Sequence, residues 1–174
     1  MRALADAERI RRFMRALGAE AREDGAVYLT GGATAVLLGW RASTLDVDIL
    51  PVPEQESVLR AIPRLKDELR VNVELASPRD FVPVPAGWED RSIFEVREGR
   101  LSFYHFDPHA QALAKLERGH AQDLEDVQAL VKRGLVDPAR ALAYLGEIED
   151  ELYRYPALDP GSFRRRVEAA FSAR

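Results

Sequence analysis

The sequence predicts an α/β (α+β) fold, a mixed sheet flanked by helices and followed by a C-terminal helical part. Three observations predict it. Short apolar or alternating runs recur at 26–30, 45–50, 71–75, 92–96 and 101–106, each of strand length. Helix-period runs at 4–17 and 54–69 lie among them. From Pro108 onward only the helical period remains. The chain therefore divides into an α/β core with its N-terminal helix, 1–107, and a helical part that completes the site, 108–174.

The first helix places Leu4, Ala7, Ile10, Phe13, Met14 and Leu17 on one face, and Asp24-Gly25 is a turn signal behind it. Ala26 to Thr30 reads as a buried strand, Gly31-Gly32 as a tight turn, and Ala33 to Trp40 as a short apolar helix hidden on all sides. Leu45 to Leu50 alternates as a second strand, which Pro51 and Pro53 should end. Glu54 to Leu69 is amphipathic, with Pro63 expected to kink or split it. Val71 to Leu75 alternates as a third strand. The proline-rich stretch 77–90 reads as a surface loop. Segments 92–96 and 101–106 read as a hairpin with Glu98-Gly99 at its tip. Helices follow at 108–118, 121–133, 138–153 and 160–172, punctuated by Gly119, Gly134 and Pro138.

Composition narrows the chemistry. The 174 residues are 47% hydrophobic and 31% charged, an ordinary globular balance. With no cysteine there is no disulfide framework, no thiolate zinc site and no cysteine nucleophile. The net charge of −4 excludes a basic coat over the whole surface, though not a local basic face. Arginines gather on the first helix (Arg9, Arg11, Arg12, Arg15) and on the last (Arg164, Arg165, Arg166). Converging, they would make a stripe suited to an RNA backbone; otherwise they are solvated helix faces paired with acids. No leader and no long apolar run is visible, so a cytoplasmic protein with no membrane partner is expected. Lysine is scarce, at Lys66, Lys115 and Lys132 alone, which draws attention to each one.

The sharpest feature is Gly31-Gly32 followed by Ser43-Thr44-Leu45-Asp46-Val47-Asp48-Ile49. Alternation puts Asp46 and Asp48 on one strand face, with Thr44, and sends Leu45, Val47 and Ile49 to the core. The two aspartate Cα atoms are then about 6–7 Å apart. Such carboxylates repel unless a cation lies between them, and hard oxygen ligands suit Mg²⁺ (or Mn²⁺) with substrate phosphates. Glycines at a strand-to-helix turn let backbone N–H groups approach a phosphate, with Thr30 and Thr34 adding hydroxyls. Taken singly, Asp-x-Asp is compatible with a solvent-facing edge strand and Gly-Gly with a plain turn. In the helical part, Asp123 and Asp126 share a helix face near its N-terminus, where they offset the dipole. Lys115 is either a phosphate ligand or a snorkelling surface lysine.

The stretch Leu29 to Pro51 resembles the nucleotidyltransferase signature of the polymerase-β superfamily. More narrowly, it is similar to the AbiEii/MenT-type toxin nucleotidyltransferases and their uncharacterised relatives. Their second motif, a lysine followed by an aspartate pair, corresponds to Lys115 through Asp126; Gln122 stands where relatives often carry a basic residue. The resemblance spans roughly residues 26 to 131. It implies a nucleotidyltransferase-like sheet and a metal held by Asp46 and Asp48, with Glu74 as third carboxylate. It implies catalytic roles for Asp46, Asp48, Lys115 and Asp123, with Asp123 ordering Lys115 or acting in the site. Gly31, Gly32, Thr34, Ser43 and Thr44 would bind the nucleotide. An NTP would donate its monophosphate and pyrophosphate would leave. A tRNA 3′ end is the implied acceptor, and a cognate antitoxin protein the implied partner. Two alternatives share the motifs: a small-molecule, aminoglycoside-like nucleotidyltransferase, and a non-catalytic member that binds nucleotide or a partner.

Overall fold

The computed structural model describes residues 3–172. Its residues fall into two units, one from the N-terminal side to Ser77 together with Ser92–Phe106, the other Pro78–Arg91 together with Asp107 onward. The proline-rich stretch thus belongs with the helices. It carries a 3₁₀ turn at Pro78–Asp80 and a short helix at Trp88–Arg91 in place of a plain loop.

In the first unit, β1 (Ala5–Asp6) leads into α1 (Ala7–Glu20), where Asp6 caps the helix by accepting from Arg9 N. Then come β2 (Gly25–Thr30), α2 (Gly32–Leu38), β3 (Ser43–Thr44), β4 (Asp46–Val52), α3 (Glu56–Leu69), β5 (Asn72–Leu75), β6 (Ile93–Glu98) and β7 (Leu101–His105). The five-stranded sheet has the order β5-β4-β2-β7-β6. It is mixed: β4 is antiparallel to β2 and parallel to β5, while β7 is parallel to β2 and antiparallel to β6. β1 and β3 form a separate antiparallel ribbon. Ile10, Phe13, Met14 and Leu17 of α1 and Val58, Ala61, Ile62 and Leu65 of α3 join Val27, Leu29, Val47, Ile49 and Phe103 in one core. Period-2 alternation therefore sends Thr30, Asp46, Asp48, Asn72 and Glu74 to the opposite sheet face.

Several details of the first unit differ from expectation. β4 continues through Pro51 to Val52. β5 ends at Leu75, paired with Ile49, so beyond it one side of β4 is an edge and tolerates a residue without an N–H. α3 runs unbroken through Pro63, which sits on its exposed face, where solvent replaces the lost helical bond. The hairpin tip is Gly99-Arg100, because Glu98 still pairs with Leu101. Leu45 is 51% exposed, since the strand breaks between β3 and β4, and Thr44 belongs to the small ribbon and not to the Asp46–Asp48 strand.

The second unit contains α4 (Trp88–Arg91), α5 (Pro108–Arg118), α6 (Ala121–Lys132), α7 (Pro138–Ile148), a 3₁₀ turn at Glu149–Arg154, and α8 (Pro160–Phe171). Asp107, Asp137 and Asp159 each cap a helix that has proline in its first turn. Asp107 is fully buried and pairs at 2.9 Å with Arg91, whose guanidinium also bonds the carbonyls of Pro85 and Ala86. That fork ties the proline-rich stretch to the start of α5.

Candidate active site

The polar sheet face is organised by register. Asp48 lies between Thr30 on β2 and Glu74 on β5, and Asp46 lies opposite Asn72. Three carboxylates on one face need compensation. Part of it is Asn72, a residue that sequence reasoning passed over. Its amide donates to Asp46 Oδ1 and, at 3.2 Å, to Glu74 Oε1. The signal was present in the sequence, since Asn72 and Glu74 alternate onto the same face of one strand. Among the described residues, no group of three or more His, Cys, Asp or Glu is gathered closely enough to hold a metal ion. Glu74 is linked to Asp46 through Asn72. The donor chemistry of the Asp46–Asp48 pair still fits a hard divalent cation, for which one or two carboxylates with substrate oxygens suffice.

The glycine turn meets this face. Gly31 has φ 64° and ψ −128°, a conformation that side chains avoid, and a Cβ there would lie 3.3 Å from Asp48 Oδ2. Gly31 also occupies the N-cap of α2, where no side chain caps the helix. At Gly32 a Cβ would collide with Thr44 Oγ1 and lie 2.7 Å from Thr44 Cβ. The Arg41 guanidinium reaches within 3.2 Å of the same point. Arg41 was also missed, although it is the only charged residue between Gly32 and Asp46.

The expected hydroxyls are placed differently from one another. Thr44 Oγ1 donates to Asp46 O at 3.0 Å and braces the start of β4. Ser43 pairs with Asp6 in the small ribbon. Thr34 is 1% exposed, and its hydroxyl lies 3.0 Å from His105 Nδ1 and 3.4 Å from Leu29 O. Thr34 is therefore an interior strut, and its hydroxyl is not part of the surface of the turn.

In the helical unit, Lys115 is buried, with Nζ 2.8 Å from Asp126 Oδ2 and 3.7 Å from Asp123 Oδ1. Asp123 also accepts from His120 N at 3.3 Å and pairs with Arg118 at 3.4 Å. Asp126, more than Asp123, fixes the lysine. Both aspartates are almost wholly buried, so they are more than solvated charges at a helix start.

Comparison with known proteins identifies the family. A family model described as a nucleotidyltransferase of unknown function (DUF6036) matches residues 7–149, from α1 to just past α7. No curated protein and no solved structure matches the chain. The match covers most of the sequence and includes both the glycine–aspartate face and the Lys115 cluster. The chain belongs to this family and is a nucleotidyltransferase.

Proposed function

We propose that the chain transfers a nucleoside monophosphate from an NTP to a hydroxyl at an RNA end, using the sheet face around Asp46 and Asp48. The observation that carries this reading is the approach of the Asp48 carboxylate to the Gly31 turn. It brings a cation-binding group and a backbone able to approach phosphate to one place. Asp46 and Asp48 would hold Mg²⁺, with Glu74 kept beside them by Asn72. Bound there, the ion offers charge neutralisation for the triphosphate and the attacking oxygen.

The chain's own residues do the rest. The amides of Gly31 and Gly32 orient phosphate oxygens, and Arg41 adds a cation beside Gly32. Thr44 keeps Asp46 at the head of β4. The acceptor hydroxyl gives its proton to solvent as its oxygen bonds the α-phosphorus, the bond from that phosphorus to the β-phosphate oxygen breaks, and its electron pair leaves with pyrophosphate. For Lys115 and Asp123 the support is the order of the sequence motifs, and a toxin-like action on tRNA, paired with an antitoxin, rests on the same resemblance.

The test incubates the protein with Mg²⁺, each α-labelled NTP in turn, and either total tRNA or an aminoglycoside. Label should enter RNA, and Asp46→Asn or Asp48→Asn should lower the rate by about a hundredfold or more while folding is kept. Label in the aminoglycoside instead would change the acceptor class. Transfer unaffected by both substitutions would overturn the site.

A further inference from the structure

Thr34, His105 and Glu95 form a continuous hydrogen-bonded chain inside the first unit. His105 ends β7, is fully buried, and has both ring nitrogens engaged. Nδ1 lies 3.0 Å from Thr34 Oγ1, one turn into α2, and Nε2 lies 2.8 Å from Glu95 Oε2 on β6. Glu95 reaches the ring because β6 is irregular at this point. Phe94 pairs with Tyr104 and Val96 with Phe103, leaving Glu95 as the extra residue of a bulge. Bulges re-aim side chains in this way. The bond from His105 holds the Glu95 carboxyl below the usual glutamate range, with burial opposing it.

The pattern has the order hydroxyl, imidazole, carboxylate, but the hydroxyl is sealed in the interior and cannot attack a substrate. It does fix a helix. With a neutral ring, Nε2–H donates to Glu95 and Nδ1 accepts from the Thr34 hydroxyl. With a charged ring, Nδ1–H donates to Thr34, whose own proton is then released toward Leu29 O, 3.4 Å away. Both bonds of His105 persist in either state. What they anchor is the first turn of a seven-residue helix that begins at Gly32 and has no side-chain cap.

We propose that Glu95, His105 and Thr34 are positioning residues that hold the Gly31-Gly32 turn in its phosphate-binding form. This rests on the nucleotidyl-transfer reading of that turn. The test compares Thr34→Val with Thr34→Ser, and Glu95→Ala with Glu95→Gln. Affinity for Mg²⁺-tripolyphosphate is read by calorimetry, the imidazole by its ¹⁵N resonances, and stability by Tm. Thr34→Val and Glu95→Ala should each weaken tripolyphosphate binding by about tenfold, as losses behind a ligand-contacting group do. Thr34→Ser and Glu95→Gln should restore it. Glu95→Ala, which removes a partly exposed side chain, carries the test if Thr34→Val does not fold. A lowered Tm with unchanged affinity in both would overturn the proposal. If the unaltered protein binds no tripolyphosphate, the phosphate-site reading falls, and the backbone amide resonances of Gly31 and Gly32 decide. Their displacement in Thr34→Val and recovery in Thr34→Ser keep the relay as the holder of the turn; unmoved resonances overturn it.

Discussion

At the scale of single residues, the glycine pair shows two different requirements. Gly31 needs its backbone conformation, whereas Gly32 needs its emptiness, because the Thr44 side chain fills the place of a Cβ. Gly32→Ala should cost about 1–3 kcal/mol, the range for overpacking a tight site. Part of that should return in a Gly32→Ala/Thr44→Ala double variant, which removes Oγ1 but leaves the Thr44 Cβ close by. Urea unfolding of the four proteins in a cycle measures the coupling, and strict additivity would contradict the contact. The aspartate pair and the glycines were legible in the sequence because period-2 alternation and a strand-to-helix turn are local properties. Asn72 and Glu74 meet Asp46 and Asp48 only through the β4–β5 register, which the sequence does not print. Arg41 was missed and Thr34 misjudged for a related reason. The direction of a side chain leaving a loop or a buried helix depends on what packs around it.

At the scale of elements, α5 and α6 are joined through a buried charge cluster as well as through apolar contact. Lys115 pairs with Asp126 within hydrogen-bond distance, and both are nearly sealed from solvent. Such a pair contributes little against an apolar substitute, but losing one partner strands the other charge. Asp126→Ala should therefore destabilise by about 3–5 kcal/mol, while Lys115→Met/Asp126→Leu should recover most of the loss. Denaturant midpoints check this, and an Asp126→Ala protein as stable as the double variant would show that Lys115 finds another partner or reaches water. The helix starts here were legible because Asp-Pro caps are local signals, but one end was not. The helix expected over 138–153 stops as an α-helix at Ile148 and continues as a 3₁₀ turn over Glu149–Arg154, with no glycine or proline at the junction to mark the change. The proline-rich stretch was less so. Its place beside the helices depends on the Arg91–Asp107 pair, two residues far enough apart that no local pattern links them.

At the scale of the whole molecule, the question is whether a chain of net charge −4 can hold RNA. Clustered arginines decide it only where they face outward and are not already engaged. On α8, Arg164 pairs with Glu149 and Glu168, Arg165 bonds Ser162, and Arg166 bonds the carbonyls of Leu116 and Glu117. These three mostly stabilise their own unit. On α1, Arg9 bonds the carbonyl of Arg70, while Arg11, Arg12 and Arg15 are exposed. Glu95 and Glu98 line the crevice that Arg11 and Arg15 also line, and so weaken the positive field there. Exposed arginines on α1, which packs on the sheet face away from Asp46 and Asp48, should accordingly add about three phosphate contacts for the body of an RNA whose end reaches the site. The logarithm of the observed affinity for tRNA should fall with the logarithm of salt concentration at a slope near −2, taking about 0.7 per contact for single strands. Replacing Arg11, Arg12 and Arg15 by alanine should bring the slope close to zero. Replacing Arg164 and Arg165 should leave the slope alone and lower Tm. A steep slope in the α1 variant would place the RNA contacts elsewhere, and a slope of zero in the unaltered protein would favour a small-molecule acceptor over RNA.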